Sequence, residues 1–137
     1  MNNSGDSYRR IIFRAKSDDY PYKWVYGNYV LENNTSYIVE FMQNDFTCPK
    51  YHIFEETIGQ FTGIYDKNGL EIYEGDIIKI PDDGMNIEEI CLVYFGHGGF
   101  RLMSKYSKKF KGYYLKDNDE FEIIGNKYEN PDLLNKI

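Results

Sequence analysis

The segment Phe61 to Ile80, FTGIYDKNGLEIYEGDIIKI, leaves this chain few folds to choose from. Two apolar-rich runs flank Asp66-Lys67-Asn68-Gly69. Asn and Gly both tolerate positive φ, so Asn68-Gly69 predicts a two-residue primed turn whose twist matches that of the strands it joins. The returning strand passes Gly75-Asp76 and continues as Ile77, Ile78 and Ile80. Turn residues and apolar positions dominate the stretch, which reads as scaffold rather than active site.

The same reading extends along the chain. Residues 1–9 are polar and are expected to form a flexible extension. Arg10 to Ala15 predicts a first strand, followed by a turn at Ser17-Asp18-Asp19-Tyr20-Pro21. Lys23 to Leu31 and Tyr37 to Phe41 predict two strands joined by Glu32-Asn33-Asn34-Thr35, with Gly27 marking either a bulge or a close backbone approach. Tyr51 to Phe54 predicts a short strand after a loop containing Pro49. Glu89 to Phe95 and Phe100 to Met103 predict a hairpin around Gly96-His97-Gly98-Gly99. Tyr113 to Lys116 and Glu120 to Ile124 follow as strands. At the end, Asn130 before Pro131 predicts an N-cap and a short helical turn.

About ten short strands, frequent turns and no long amphipathic helix predict an all-β fold. Short antiparallel strands and hairpins would form a small barrel or sandwich. One organisation that the spacing allows is two β lobes, 10–56 and 57–134, the second SH3-like. The 42% hydrophobic content, with 14 Tyr and 9 Phe, suits a packed core rather than disorder. No apolar run nears the ~20 residues of a membrane span and no signal-peptide core is present, so a cytoplasmic protein is expected. Cys48 and Cys91 have no Cys-x-x-Cys spacing and are expected as thiols.

Catalytic and metal chemistry finds little footing. His52 and His97, the only histidines, have no second ligand at metal spacing in their own segments. Asp66 to Glu71 fails the calcium-loop pattern at its fifth and sixth positions, Leu70 and Glu71. His97-Gly98-Gly99 has no accompanying Gly-x-Ser-x-Gly elbow. Adjacent carboxylates such as Asp82-Asp83 and Glu88-Glu89 would point to opposite strand faces. No cofactor and no enzymatic activity are expected.

Charge is uneven within a net −6. Residues 66–89 hold eight acids against two lysines, and residues 101–116 hold six bases and no acid. Two solvated faces of opposite sign, or a pair of interfaces, would both produce this pattern. Within the basic stretch, Lys105, Tyr106, Lys108, Lys109, Phe110, Lys111 and Tyr113 interleave cations and rings as single-stranded nucleic-acid sites do. A sequence pI near 4.9 and a lysine-guarded strand edge weigh against that reading.

Four landmarks together resemble the YopX family of phage- and prophage-encoded proteins. They are FRA at Phe13 to Ala15, WVYG at Trp24 to Gly27, the block from Thr57 to Ile80, and EIIGNKYENPDLL from Glu122 to Leu134. Lys16 and Ser17 depart from the Trp and Asp frequent in the family, and residues 28–54 match loosely. The resemblance covers about residues 10–134. It implies an all-β fold that self-associates in the bacterial host cell, with no catalytic residues to carry over. The expected function is therefore non-enzymatic binding as a homo-oligomer, with a nucleic-acid-binding accessory role as the alternative.

Overall fold

The computed structural model describes residues 10–82, 84, 87–105, 113–115 and 120–137, with 113 and 114 described in their backbone alone. The expected N-terminal extension lies outside the described residues. Eleven strands occur among those described, all in antiparallel sheets: β1 Phe13–Lys16, β2 Trp24–Glu32, β3 Thr35–Val39, β4 Lys50–His52, β5 Gly59–Tyr65, β6 Glu71–Tyr73, β7 Asp76–Ile80, β8 Glu89–Gly96, β9 Gly99–Met103, β10 Tyr113–Tyr114 and β11 Glu122–Asn126. Short 3-10 segments span Glu55–Thr57 and Pro131–Lys136. No helix among the described residues is long and apolar enough to cross a membrane.

The chain divides into two compact units between Gly63 and Ile64. That point lies inside β5, beyond the 56/57 division read from the sequence, because Gly59 and Gln60 are paired to Arg14 and Phe13 of β1. The sheet order is β4-β3-β2-β1-β5-β6, with β5 running through the division.

In the first unit, Asn33 and Asn34 join β2 to β3 with φ of +51° and +64°. This is a primed turn, and two asparagines supply it because their short polar side chains tolerate the left-handed region. Alternation along the strands turns Ala15, Val25, Ile38 and Ile53 into one apolar cluster, with Phe13, Tyr29, Tyr51 and Ile58 against it. Gly27 is explained by close approach rather than by a bulge. A Cβ there would collide with the Val39 carbonyl oxygen and lie 2.9 Å from the Glu40 Cα. At the end of β4 the backbone also reaches β1: Asp18 N donates to His52 O at 3.1 Å and Phe54 N to Lys16 O at 2.9 Å, around a bridge between Ser17 and Ile53.

The second unit contains the sheet β10-β9-β8-β7-β11. Ile72, Ile78, Cys91, Val93, Leu102 and Phe121 form its core. His97-Gly98, with φ of +52° and +84°, is the primed turn between β8 and β9. The expected primed turn at Asn68-Gly69 is replaced by a longer one, in which Asp66 N donates to Leu70 O and Gly69 N to Asp66 O. Only Gly69 of this loop has positive φ, +81°. A turn closed by one left-handed residue has the geometry of a three-residue hairpin loop.

The reason lies in Asp66. Its carboxylate is 5% exposed, and Oδ1 accepts from Asn68 N at 2.8 Å and Leu70 N at 3.0 Å. Oδ2 accepts from Ile123 N of β11 at 3.1 Å. Asp66 thus ties the turn together and ties it to β11, where Lys67 N also donates to Phe121 O at 2.7 Å. Asn130 departs from expectation in a similar way. It makes no side-chain cap for the 131–136 segment, because its Oδ1 accepts from Asn126 N at 3.1 Å.

Candidate functional site

Buried acids change the meaning of the 66–89 charge count. Asp66 is a backbone anchor, and Asp76, 2% exposed, accepts from Tyr73 N at 2.7 Å. Glu89 is half-buried and accepts from the Ser104 hydroxyl at 2.8 Å. Lys67 and Lys79, the two lysines of the stretch, both pair with Glu122, at 3.6 Å and 3.3 Å. The acidic face is therefore thinner than its sequence suggests, since buried carboxylates serve amides rather than solvent.

Of the basic–aromatic candidates, Lys105 is exposed just after β9. Tyr113 lies in β10 with its backbone opposite Leu102. Tyr106, Lys108, Lys109, Phe110 and Lys111 lie outside the described residues. A cleft of about 330 Å³ in the second unit brings Lys105 together with Glu88, Ser104 and the 135–137 segment. His97 is exposed in the β8–β9 turn of this unit. In the first unit, His52 is exposed in β4, with Nδ1 3.9 Å from Asp18 Oδ2. Neither histidine lines the cleft, and no metal-binding group of three or more His, Cys, Asp or Glu occurs among the described residues. Cys48 is an exposed thiol and Cys91 a buried one.

The first unit carries two surface features that residue patterns did not single out. One is the β3–β4 connection. Glu40 N donates to Pro49 O, Gln43 N to Thr47 O and Phe46 N to Gln43 O, all at 2.8–2.9 Å. Asp45 Oδ1 accepts from the Thr47 hydroxyl at 2.7 Å and its amide at 3.1 Å. Those two bonds, the hydroxyl first, hold the Asp45 carboxyl below its ordinary value. On this fixed frame Phe41, Met42 and Phe46 face solvent, Met42 at 65% and Phe46 at 82% exposure. Phe46 also has φ of +65°, a conformation that bulky side chains rarely adopt.

The second feature lies where the 17–22 turn meets Phe54. Tyr20 and Tyr22 are edge to face at 5.8 Å, and Tyr22 meets Phe54 at 5.9 Å. All three are exposed, Tyr20 at 85%. Tyr22, at φ +59°, is held by its own amide donating to Asp19 O at 2.7 Å. Asp18 and Asp19, just before Tyr20 in the chain, and Glu55 and Glu56, just after Phe54, are exposed. The neighbouring cations lie on other rings: Lys16 is 5.5 Å from the Trp24 centroid and Lys23 5.4 Å from that of Tyr51. Positive-φ aromatics leave no mark in a single sequence, which is why Ser17 to Pro21 read as a turn and nothing more.

Among curated proteins, no relative matches the sequence. The fold is similar to the crystal structure of protein EF1440 from Enterococcus faecalis, with a TM-score of 0.53 and 21% sequence identity, covering 93% of this chain and 99% of that one. The sequence landmarks fall on structural junctions: FRA lies in β1, WVYG opens β2, and the C-terminal block spans β11 and the 3-10 segment after it. The family model described as YopX protein matches residues 12–135, and the chain belongs to that family.

Proposed function

We propose that this YopX-family chain is a non-catalytic binding protein that works as a homo-oligomer, with the 41–48 loop as a contact between copies. One observation carries the reading. An internally hydrogen-bonded loop holds Phe41, Met42 and Phe46 out to solvent, with Phe46 in a left-handed conformation. Holding apolar side chains outward on a fixed frame is unfavourable in an isolated molecule and favourable when another surface covers them. Burying a Met or Phe side chain stabilises by roughly 1.5–3 kcal/mol.

Size-exclusion chromatography with light scattering tests this. The wild type is expected above monomer mass, and Met42→Ser with Phe46→Asn is expected to weaken assembly by about two to four decades. Asn suits the second position because it tolerates positive φ. A wild type that is monomeric at both low and high salt overturns the proposal.

The finer architecture fits this reading of a scaffold for surfaces. The bridge between Ser17 and Ile53 supports closure of β1–β4 into a small barrel. The order in which β11 returns beside β7 supports an SH3-like second unit. The nucleic-acid alternative has one observation in its favour, the exposed Lys105 beside a β9–β10 pair that carries Arg101, Tyr113 and Tyr114. A mobility-shift assay at low salt with single- and double-stranded DNA and RNA decides it. Absence of a shift at high micromolar protein ends that reading, since non-specific binding shows most strongly at low salt.

A further inference from the structure

We propose that the Tyr20, Tyr22 and Phe54 rings form a docking surface for a cationic peptide segment of another protein, with arginine preferred over lysine. The rings touch one another in series and stand in solvent, so part of each π-face is open to a ligand. Exposed ring faces attract cations through their quadrupole, and guanidinium groups stack on them better than ammonium groups do.

Charge selects the partner. Asp18 and Asp19 immediately precede Tyr20 in the chain and Glu55 and Glu56 immediately follow Phe54, and all four are exposed. Asp18 faces His52, whereas Asp19, Glu55 and Glu56 make no ion pair among the described residues. The nearby Lys16 and Lys23 lie over the Trp24 and Tyr51 rings. An apolar partner would leave the carboxylates desolvated at its rim, and an anionic one, nucleic acid included, would be repelled. A segment bearing several guanidinium groups meets both demands, with planar groups on the rings and charge-assisted hydrogen bonds to the acids. The surface uses none of the 41–48 loop residues, so the proposal stands or falls independently of self-association through that loop.

Fluorescence anisotropy with labelled octaarginine, octalysine and a neutral Gly-Ser octapeptide tests it on the full chain. At low salt octaarginine is expected to bind more tightly than octalysine, and the neutral peptide not at all. Tyr20→Ser with Tyr22→Asn keeps every charge and is expected to weaken octaarginine roughly tenfold. Asp19→Asn with Glu55→Gln and Glu56→Gln is expected to flatten the salt dependence. In the unaltered protein, NMR signals of the three rings should move on titration, a readout that needs no variant to fold. Equal binding by the Tyr20/Tyr22 variant overturns the proposal and shows diffuse attraction to an acidic protein. So does an unaltered protein that fails to bind octaarginine at low salt. Loss of self-association in the Tyr20/Tyr22 variant, without peptide binding, assigns the surface to a second copy and also overturns it.

Discussion

Removing the Asp66 carboxylate tests the claim that one buried acid organises the central hairpin. The side chain accepts three backbone amides, those of Asn68, Leu70 and Ile123. Hydrogen bonds to a charged acceptor contribute more than neutral ones, and a buried amide left without a partner costs about 1–3 kcal/mol. Asp66→Ala abandons all three, so a loss of about 3–5 kcal/mol is expected, a large share of a typical domain's 5–15 kcal/mol. Asp66→Asn is the sharper variant. Its single carbonyl can keep the Asn68 and Leu70 amides, while its NH2 group then faces the Ile123 amide, donor against donor. That predicts a loss of about 1–3 kcal/mol for one amide. Urea unfolding followed by circular dichroism gives the order wild type, Asn, Ala. Amide exchange adds the local pattern: Ile123 loses protection in both variants, and Leu70 only in the alanine one. Asp66→Ala within about 0.5 kcal/mol of wild type, the range of a neutral surface change, would refute the anchoring role.

Three further perturbations separate backbone strain from steric collision and follow the titration of a loop acid. Gly69→Ala meets no atom within 4 Å, so its cost is the left-handed conformation alone, about 1–2 kcal/mol. Gly27→Ala also strikes the Val39–Glu40 backbone, so thermal unfolding should show it as clearly the more damaging; equal melting points would count against the close approach. Asp45 has a lowered pKa in the folded chain. Its stabilising bonds to Thr47 are therefore complete above the ordinary value of 3.8 and fade as pH falls below that through the lowered value. Carboxyl carbon NMR should give a midpoint below 3.8 that rises in Thr47→Ala; an unchanged midpoint would remove the hydroxyl as its main cause.

Strand positions were legible because they depend on local alternation. Val25, buried between half-buried Trp24 and exposed Tyr26, follows that alternation, while adjacent Ile77 and Ile78 are both buried and announce a strand by their apolar run instead. Turn types were less legible, since a turn is chosen by whatever stands behind it. Asn68-Gly69 has the composition of a primed turn, yet Asp66, gripping Leu70 on one side and Ile123 of β11 on the other, selects a longer loop. Asn33-Asn34 makes the primed turn instead. Asn130 has the composition of a helix cap and serves the amide of Asn126. At Asp66 and at Asn130 a contact four or more residues away decided between conformations that local propensity left close in energy.

Surface chemistry is harder to read from sequence for a related reason. A charge count treats every carboxylate as solvated, but Asp66 and Asp76 spend theirs on backbone amides inside the second unit, and burying an acid unpaired would be far costlier. Their removal from the surface leaves the 66–89 stretch a weaker counterpart for the 101–116 bases than eight acids against six bases would imply. The exposed apolar side chains of the first unit are therefore better placed than the charged stretches to support the proposed association. Their exposure depends on backbone geometry at Tyr22 and Phe46, which no run of hydrophobic letters encodes. Salt response distinguishes the two physical pictures: pairing of charged stretches weakens as ionic strength rises, whereas burial of Phe46 and Met42 does not depend on screening. An oligomer that persists at high salt rests on apolar burial, which the Met42→Ser, Phe46→Asn variant then tests at the loop, and one that dissolves returns the contact to the charged stretches.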